Sequence, residues 1–111
     1  MTLPIVSRTL RAIEPTGEEF ELILSIGTPY QAQPMDWACL VHITRMFEPS
    51  RPLIGVDAWQ AVQLAYQFMA SQLNGFLARG GRLFWQGTER AIALEDLFPH
   101  VPVFIKDSPA A

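Results

Sequence analysis

From Ala58 to Ala78 the chain contains no Lys, Arg, Asp or Glu, and this segment constrains the fold more than any other. Its apolar residues recur at helical spacing. Val62, Ala65, Met69, Leu73 and Phe76 form one stripe, with Ala61 and Phe68 beside it. Both ends are punctuated. Asp57 is placed to cap the first turn, and Gln60 three residues later gives a D-x-x-Q variant of the capping box. Val56 stands where it can staple onto Ala61. At the far end Arg79 complements the helix dipole and Gly80-Gly81 stops the helix. The pattern predicts a helix from Ala58 to Ala78, which needs a second element to bury its apolar stripe.

The preceding residues supply a sheet. Ile5 to Ile13 reads as a strand with one wet face. Glu14-Pro15-Thr16-Gly17-Glu18 reads as a turn, because proline fixes φ and glycine permits positive φ. Glu19 to Ile26 alternates, with Phe20, Leu22, Leu24 and Ile26 on one face and Glu19, Glu21 and Ser25 on the other. The two strands are expected to pair as an antiparallel hairpin. Gly27 to Pro34 reads as a loop, Asp36 to Thr44 as a third strand apolar on both faces, and Phe47 to Ile54 as a loop around Pro49 and Pro52. After the helix, Arg82 to Trp85 and Ala91 to Leu94 read as short strands. Val101 to Ile105 reads as a last strand or an extended tail.

The expected class is therefore α+β: an antiparallel sheet of four to five strands packed against one long helix. Leu22, Leu24, Val41, Val62, Met69 and Leu73 are expected in the core. A length of 111 residues suits one domain, residues 1–106, with 107–111 as a frayed tail.

Charge and cysteine content narrow the function. Net charge is −3 and the basic residues are scattered, so no basic stripe for nucleic acid is expected. No apolar run is long enough to span a membrane. With one cysteine, Cys39, and no leader-like start, the reading is a cytoplasmic chain without an internal disulfide.

No catalytic constellation emerges. Cys39 and His42 are three apart on an expected strand, so they face opposite sides. Two histidines and one cysteine do not give the spacing of a zinc site. Gly80-Gly81 follows a helix, so it cannot cradle a phosphate at a helix start. No cofactor and no metal are expected, and the chain is read as a non-enzyme.

Two surfaces are candidates for binding. On the helix, Gln60, Gln63, Gln67, Ser71 and Asn74 share one side, flanked by Trp59, Tyr66 and Phe68. A neutral amide face bordered by aromatics has the composition of a covered surface, in a homodimer or against another protein. The second is the first hairpin, where Glu14, Glu18, Glu19 and Glu21 cluster in a way that could steer a basic partner.

The stretch Ile54-Gly55-Val56-Asp57-Ala58-Trp59-Gln60-Ala61-Val62-Gln63-Leu64-Ala65, with Gly80-Gly81-Arg82-Leu83-Phe84-Trp85 after the helix, resembles a family of small bacterial proteins of unknown function. The marker is a G-V-D-x-x-Q-A-x-x-L-A helix start. The resemblance implies a hairpin-rich N-terminal half, a helix and a short strand, and it implies no chemistry. The build is also similar to that of toxin immunity proteins, at the level of fold alone. The functional expectation is a protein-binding protein, an immunity protein that occludes a bacterial toxin, with Glu14, Glu18, Glu19, Glu21, Trp59, Gln60, Gln63 and Gln67 as contact residues. The alternative is a small-ligand or accessory domain with a pocket lined by Trp37, Tyr66 and Trp85.

Overall fold

In the computed structural model, which describes residues 4–99, an antiparallel sheet carries one long helix on one face. Its strands are β1 (Pro4–Ile13), β2 (Glu19–Gly27), β3 (Tyr30–Gln33), β4 (Asp36–Ile43), β5 (Phe47–Gly55) and β6 (Arg82–Trp85). The helices are α1 (Ala58–Ala78) and a single turn, α2 (Leu94–Leu97). The expected last strand at Val101–Ile105 and the tail after it lie outside the described residues.

β1 and β2 form the expected hairpin, with Leu10 opposite Leu22 and Ala12 opposite Phe20. β6 adds to the outer edge of β1, and β4 pairs with β2 through Ile43 and Val41. β5 runs along the remaining edge of β4 from Phe47 to Gly55. Because β5 occupies that whole edge, β2 and β3 share the other one, β3 pairing with the start of β4.

Three sequence expectations are corrected. Residues 47–54 are not a loop; they lie within β5. Prolines lack a ladder donor, which is why the segment reads as a break, yet an edge strand tolerates them. Pro52 sits on the outer strand opposite Leu40, and Pro49 lies where the register shifts between Val41 and Ile43. Residues 30–33, also read as loop, form the short β3. Ala91 to Leu94 is not a strand: Ala91 makes one bridge to Phe84, and the chain then turns into α2.

The helix begins and ends where its caps place it. Asp57 Oδ1 accepts the Gln60 N–H at 2.8 Å. Gln60 Oε1 reaches back one residue further than in a standard box, to the Val56 N–H at 2.8 Å. At the other end the Gly80 N–H donates to Leu77 O and the Gly81 N–H to Phe76 O, with Gly80 at φ 101°. This pair of bonds is the Schellman stop. The Val56–Ala61 staple does not form, since Val56 is exposed. Gly55 lies against that turn instead: a Cβ there would stand 2.6 Å from the Ala61 nitrogen.

α1 lies mainly over β4 and β5. Its buried stripe is Ala61, Ala65, Met69, Leu73 and Phe76, facing Leu22, Leu24, Val41 and Ile43 in one apolar core. Val62, expected in that stripe, is only half-buried, because the small Ala61 and Ala65 take the closest approach to the sheet.

Candidate functional site

The two ends of the sheet differ in what they expose. At one end lie the β1–β2 turn, the β4–β5 turn and the end of α1. Here the acidic hairpin meets Arg45. The Arg45 guanidinium bonds Glu14 and reaches Glu18 Oε2 at 3.0 Å, and the Arg45 backbone N–H donates to Glu48. The same guanidinium stacks over Phe20, 4.3 Å from the ring centroid. Its hydrogen bond holds the Glu18 carboxyl below the usual carboxylate range. On the face away from α1, Arg11 Nε donates to Glu19 at 2.8 Å and Nη1 to the Thr88 carbonyl at 3.1 Å. Glu21 accepts from Gln86 Nε2 at 3.1 Å.

These contacts change the meaning of Glu14, Glu18, Glu19 and Glu21. They do not form one bare negative patch. Glu14 and Glu18 share Arg45, Glu19 takes Arg11, and Glu21 takes an amide. They tie the hairpin to the β4–β5 turn, to itself across β1 and β2, and to the segment after β6.

The opposite end is built where β1 starts, β2 ends, β4 starts, β5 ends and α1 begins. Ile5, Val6, Tyr30, Met35, Ile54, Val56 and Trp59 are all exposed there, and Tyr66 continues the row along α1. Trp59 keeps 75% of its surface in water, and Met35 keeps 72%. The strand register sets Tyr30 and Ile54 on either side of Ala38, and Trp37 opposite Gly55. In residues 4–7, 27–41 and 52–67, which build this end, the only formal charges are Asp36 and Asp57.

Met35 is unusual on a second count. It occupies the second position of the two-residue Pro34-Met35 turn with φ 71°. That conformation belongs to glycine or asparagine, and a side chain with a Cβ pays about 1–2 kcal/mol there. No hydrogen bond within the described chain accompanies the Met35 side chain, which can make none of consequence. It projects into water.

The helix amides adjoin this end. Gln60, Gln63 and Gln67 are exposed, beside Trp59. The structure therefore brings four of the sequence-predicted contact residues together and sets the four glutamates apart from them. Nothing local in the sequence marks Met35, Val56 or Ile54 as surface apolar residues, because they lie in a turn, a bend and a strand end.

The expected ligand pocket of Trp37, Tyr66 and Trp85 does not assemble. Trp37 lies opposite Gly55, and Trp85 lies under the Arg8 guanidinium at 4.9 Å. Only Tyr66 lines the cleft beside α1, which holds about 190 Å³. Cys39 and His42 sit on opposite faces of β4. Cys39 is fully buried with its thiol on the Gly27 carbonyl at 3.3 Å, and burial pushes its pKa up. Among the described residues no group of three or more His, Cys, Asp or Glu side chains is placed to hold a metal ion. No helix among them is long and apolar enough to cross a membrane.

No curated protein and no solved structure gives a significant match to this chain. A family model does: the Domain of unknown function (DUF6968) matches residues 6–95, and the chain belongs to that family. The match runs from Val6 within β1 to the first two residues of α2 and includes the helix motif.

Proposed function

We propose that this chain is a non-catalytic protein-binding protein whose contact surface is the apolar end of the sheet, centred on Met35 and Trp59. The observation that carries the reading is segregation. The large exposed apolar side chains gather at one end, while most of the ion pairs and arginines gather at the other. Exposed aromatic and methionine side chains with few charges around them have the composition of an interface centre. Tryptophan is the residue type most often found to anchor one. Gln60, Gln63 and Gln67 form the neutral polar border of the same surface.

The partner's chemistry follows from the two charges present. Asp36 and Asp57 favour a partner with an apolar centre and basic rim residues. A second copy of this chain would bring four carboxylates together, so a different protein fits better than a homodimer. The narrowest form of the proposal is an immunity protein that covers a basic toxin. Occlusion needs complementarity alone, and no catalytic group enters it.

The test uses the tagged full chain in extract from the native cell. Wild type and Glu18→Gln should retain one protein at near-equal yield, and Trp59→Ala should retain at least about tenfold less, with an unchanged fold by circular dichroism. Loss of the captured protein with Glu18→Gln, and its retention with Trp59→Ala, would move the contact surface to the hairpin. A captured protein whose toxicity the chain abolishes supports the immunity form; one without toxicity removes it.

A further inference from the structure

A cleft that adjoins the apolar end through Val6 and Tyr66 lies where α1, the start of β1 and α2 meet. Its floor is Leu24, Ile26 and Met69, and its walls are Tyr66 and Phe98. Arg8 stands at the rim. Arg8 pairs across from Leu24, on the sheet face that carries α1, and its guanidinium is held by stacking on Trp85. A cation over a ring face keeps its N–H donors available for a further partner. No described carboxylate bonds those donors, in contrast to Arg11 and Arg45, whose guanidinium groups are taken by glutamates.

We propose that this cleft binds a small apolar carboxylate, its hydrocarbon part on Leu24, Ile26 and Met69 and its acid group on Arg8. The volume sets the size. An apolar cavity of about 150 Å³ accepts benzene, so about 190 Å³ admits one ring or a branched chain with a short acid arm. The charges set the polarity. Asp96 also lines the cleft, but its Oδ2 accepts the Ala93 N–H at 2.9 Å at the start of α2. An anion is repelled from that wall and directed to Arg8, whose planar donor edge matches a carboxylate in a bidentate pair. An apolar floor edged by the polar residues Ser7, Arg8, Ser25, Tyr66 and Asp96 can both seat a hydrocarbon group and orient it.

The test is methionine-methyl NMR on the full chain with phenylacetate and its neutral isostere phenylacetamide. Met69 lines the cleft; Met35 and Met46 lie elsewhere and act as internal controls. Phenylacetate at millimolar concentration should shift the Met69 methyl saturably and leave the Met35 and Met46 methyls in place. Phenylacetamide should bind about fivefold or more weakly, the loss expected for one charge-assisted contact. Arg8→Gln should erase the difference between the two probes, and Arg51→Gln, an arginine stacked on Phe47 away from the cleft, should preserve it. An unmoved Met69, equal affinities for the two probes in the wild type, or an unchanged preference in Arg8→Gln would each overturn the proposal. The partner-capture experiment does not depend on this outcome, so the two readings fail separately.

Discussion

β4 is bounded by two turns that each hold a non-glycine residue in the left-handed region, Met35 at φ 71° and Arg45 at φ 69°. The backbone cost is similar, yet the surroundings are opposite. Arg45 recovers it inside the molecule, through Glu14, Glu18, Glu48 and the Phe20 ring. Met35 is 72% exposed and recovers nothing comparable from the described chain. One turn is strained to hold the fold together. The other is strained while its large apolar side chain stays in water. Backbone strain that local contacts do not explain is a pointer to function.

The comparison can be broken in several ways. The largest expected effects come from the two glycines that let the helix ends approach the rest of the chain. Gly55→Ala puts a Cβ 2.6 Å from the Ala61 backbone nitrogen, which only a shift of the helix can relieve. Urea unfolding should show a loss of about 1–3 kcal/mol or more. Gly81→Ala, at the charged end, meets the Phe76 ring at 2.5 Å instead. A ring packed edge-on against Phe20 can tilt, so the loss should be smaller than at Gly55. The reverse order would mean that the apolar end is the softer of the two.

Replacing each strained residue by glycine should split in sign. Arg45→Gly relieves the backbone but frees Glu14 and Glu18 and uncovers Phe20, so the urea midpoint should fall. Met35→Gly relieves the backbone and removes no internal contact of weight. After the extra freedom of glycine in the unfolded chain, it should gain about 0.5–1 kcal/mol. Equal signs would remove the contrast between the turns.

The smallest effect is the pH dependence of the charged end. Arg45 holds the Glu18 carboxyl below its ordinary pKa, so the folded state binds that proton less readily than the unfolded chain does. The resulting stability is present at neutral pH and is lost as pH falls through the folded-state pKa of Glu18. The pair is exposed, so the effect should be slight. In Arg45→Gly the acid limb of the urea midpoint should be flatter than in the wild type, and in Met35→Gly unchanged.

Much of this architecture was legible in the sequence, because local chemistry decides it. Phe20, Leu22, Leu24 and Ile26 alternate against Glu19 and Glu21. Asp57 and Gly80-Gly81 mark both ends of α1. β5 was hidden by Pro49 and Pro52, whose missing donors matter less on an edge strand. At the candidate site, the helix amides and Trp59 were legible from helical spacing. The pairing of Glu14 and Glu18 with Arg45 was not, because those partners are 31 and 27 residues apart in the chain. The apolar end was not either. Tyr30 and Ile54 belong to two segments that only the register of β4 with β3 and β5 brings onto either side of Ala38.

We propose that Met35 trades stability for contact with a partner. The most direct measurement takes Met35→Gly through urea unfolding and through partner capture from native extract, side by side with the wild type. A more stable protein that retains several-fold less partner is the expected result. A variant that gains stability and captures its partner as well as the wild type does would contradict it.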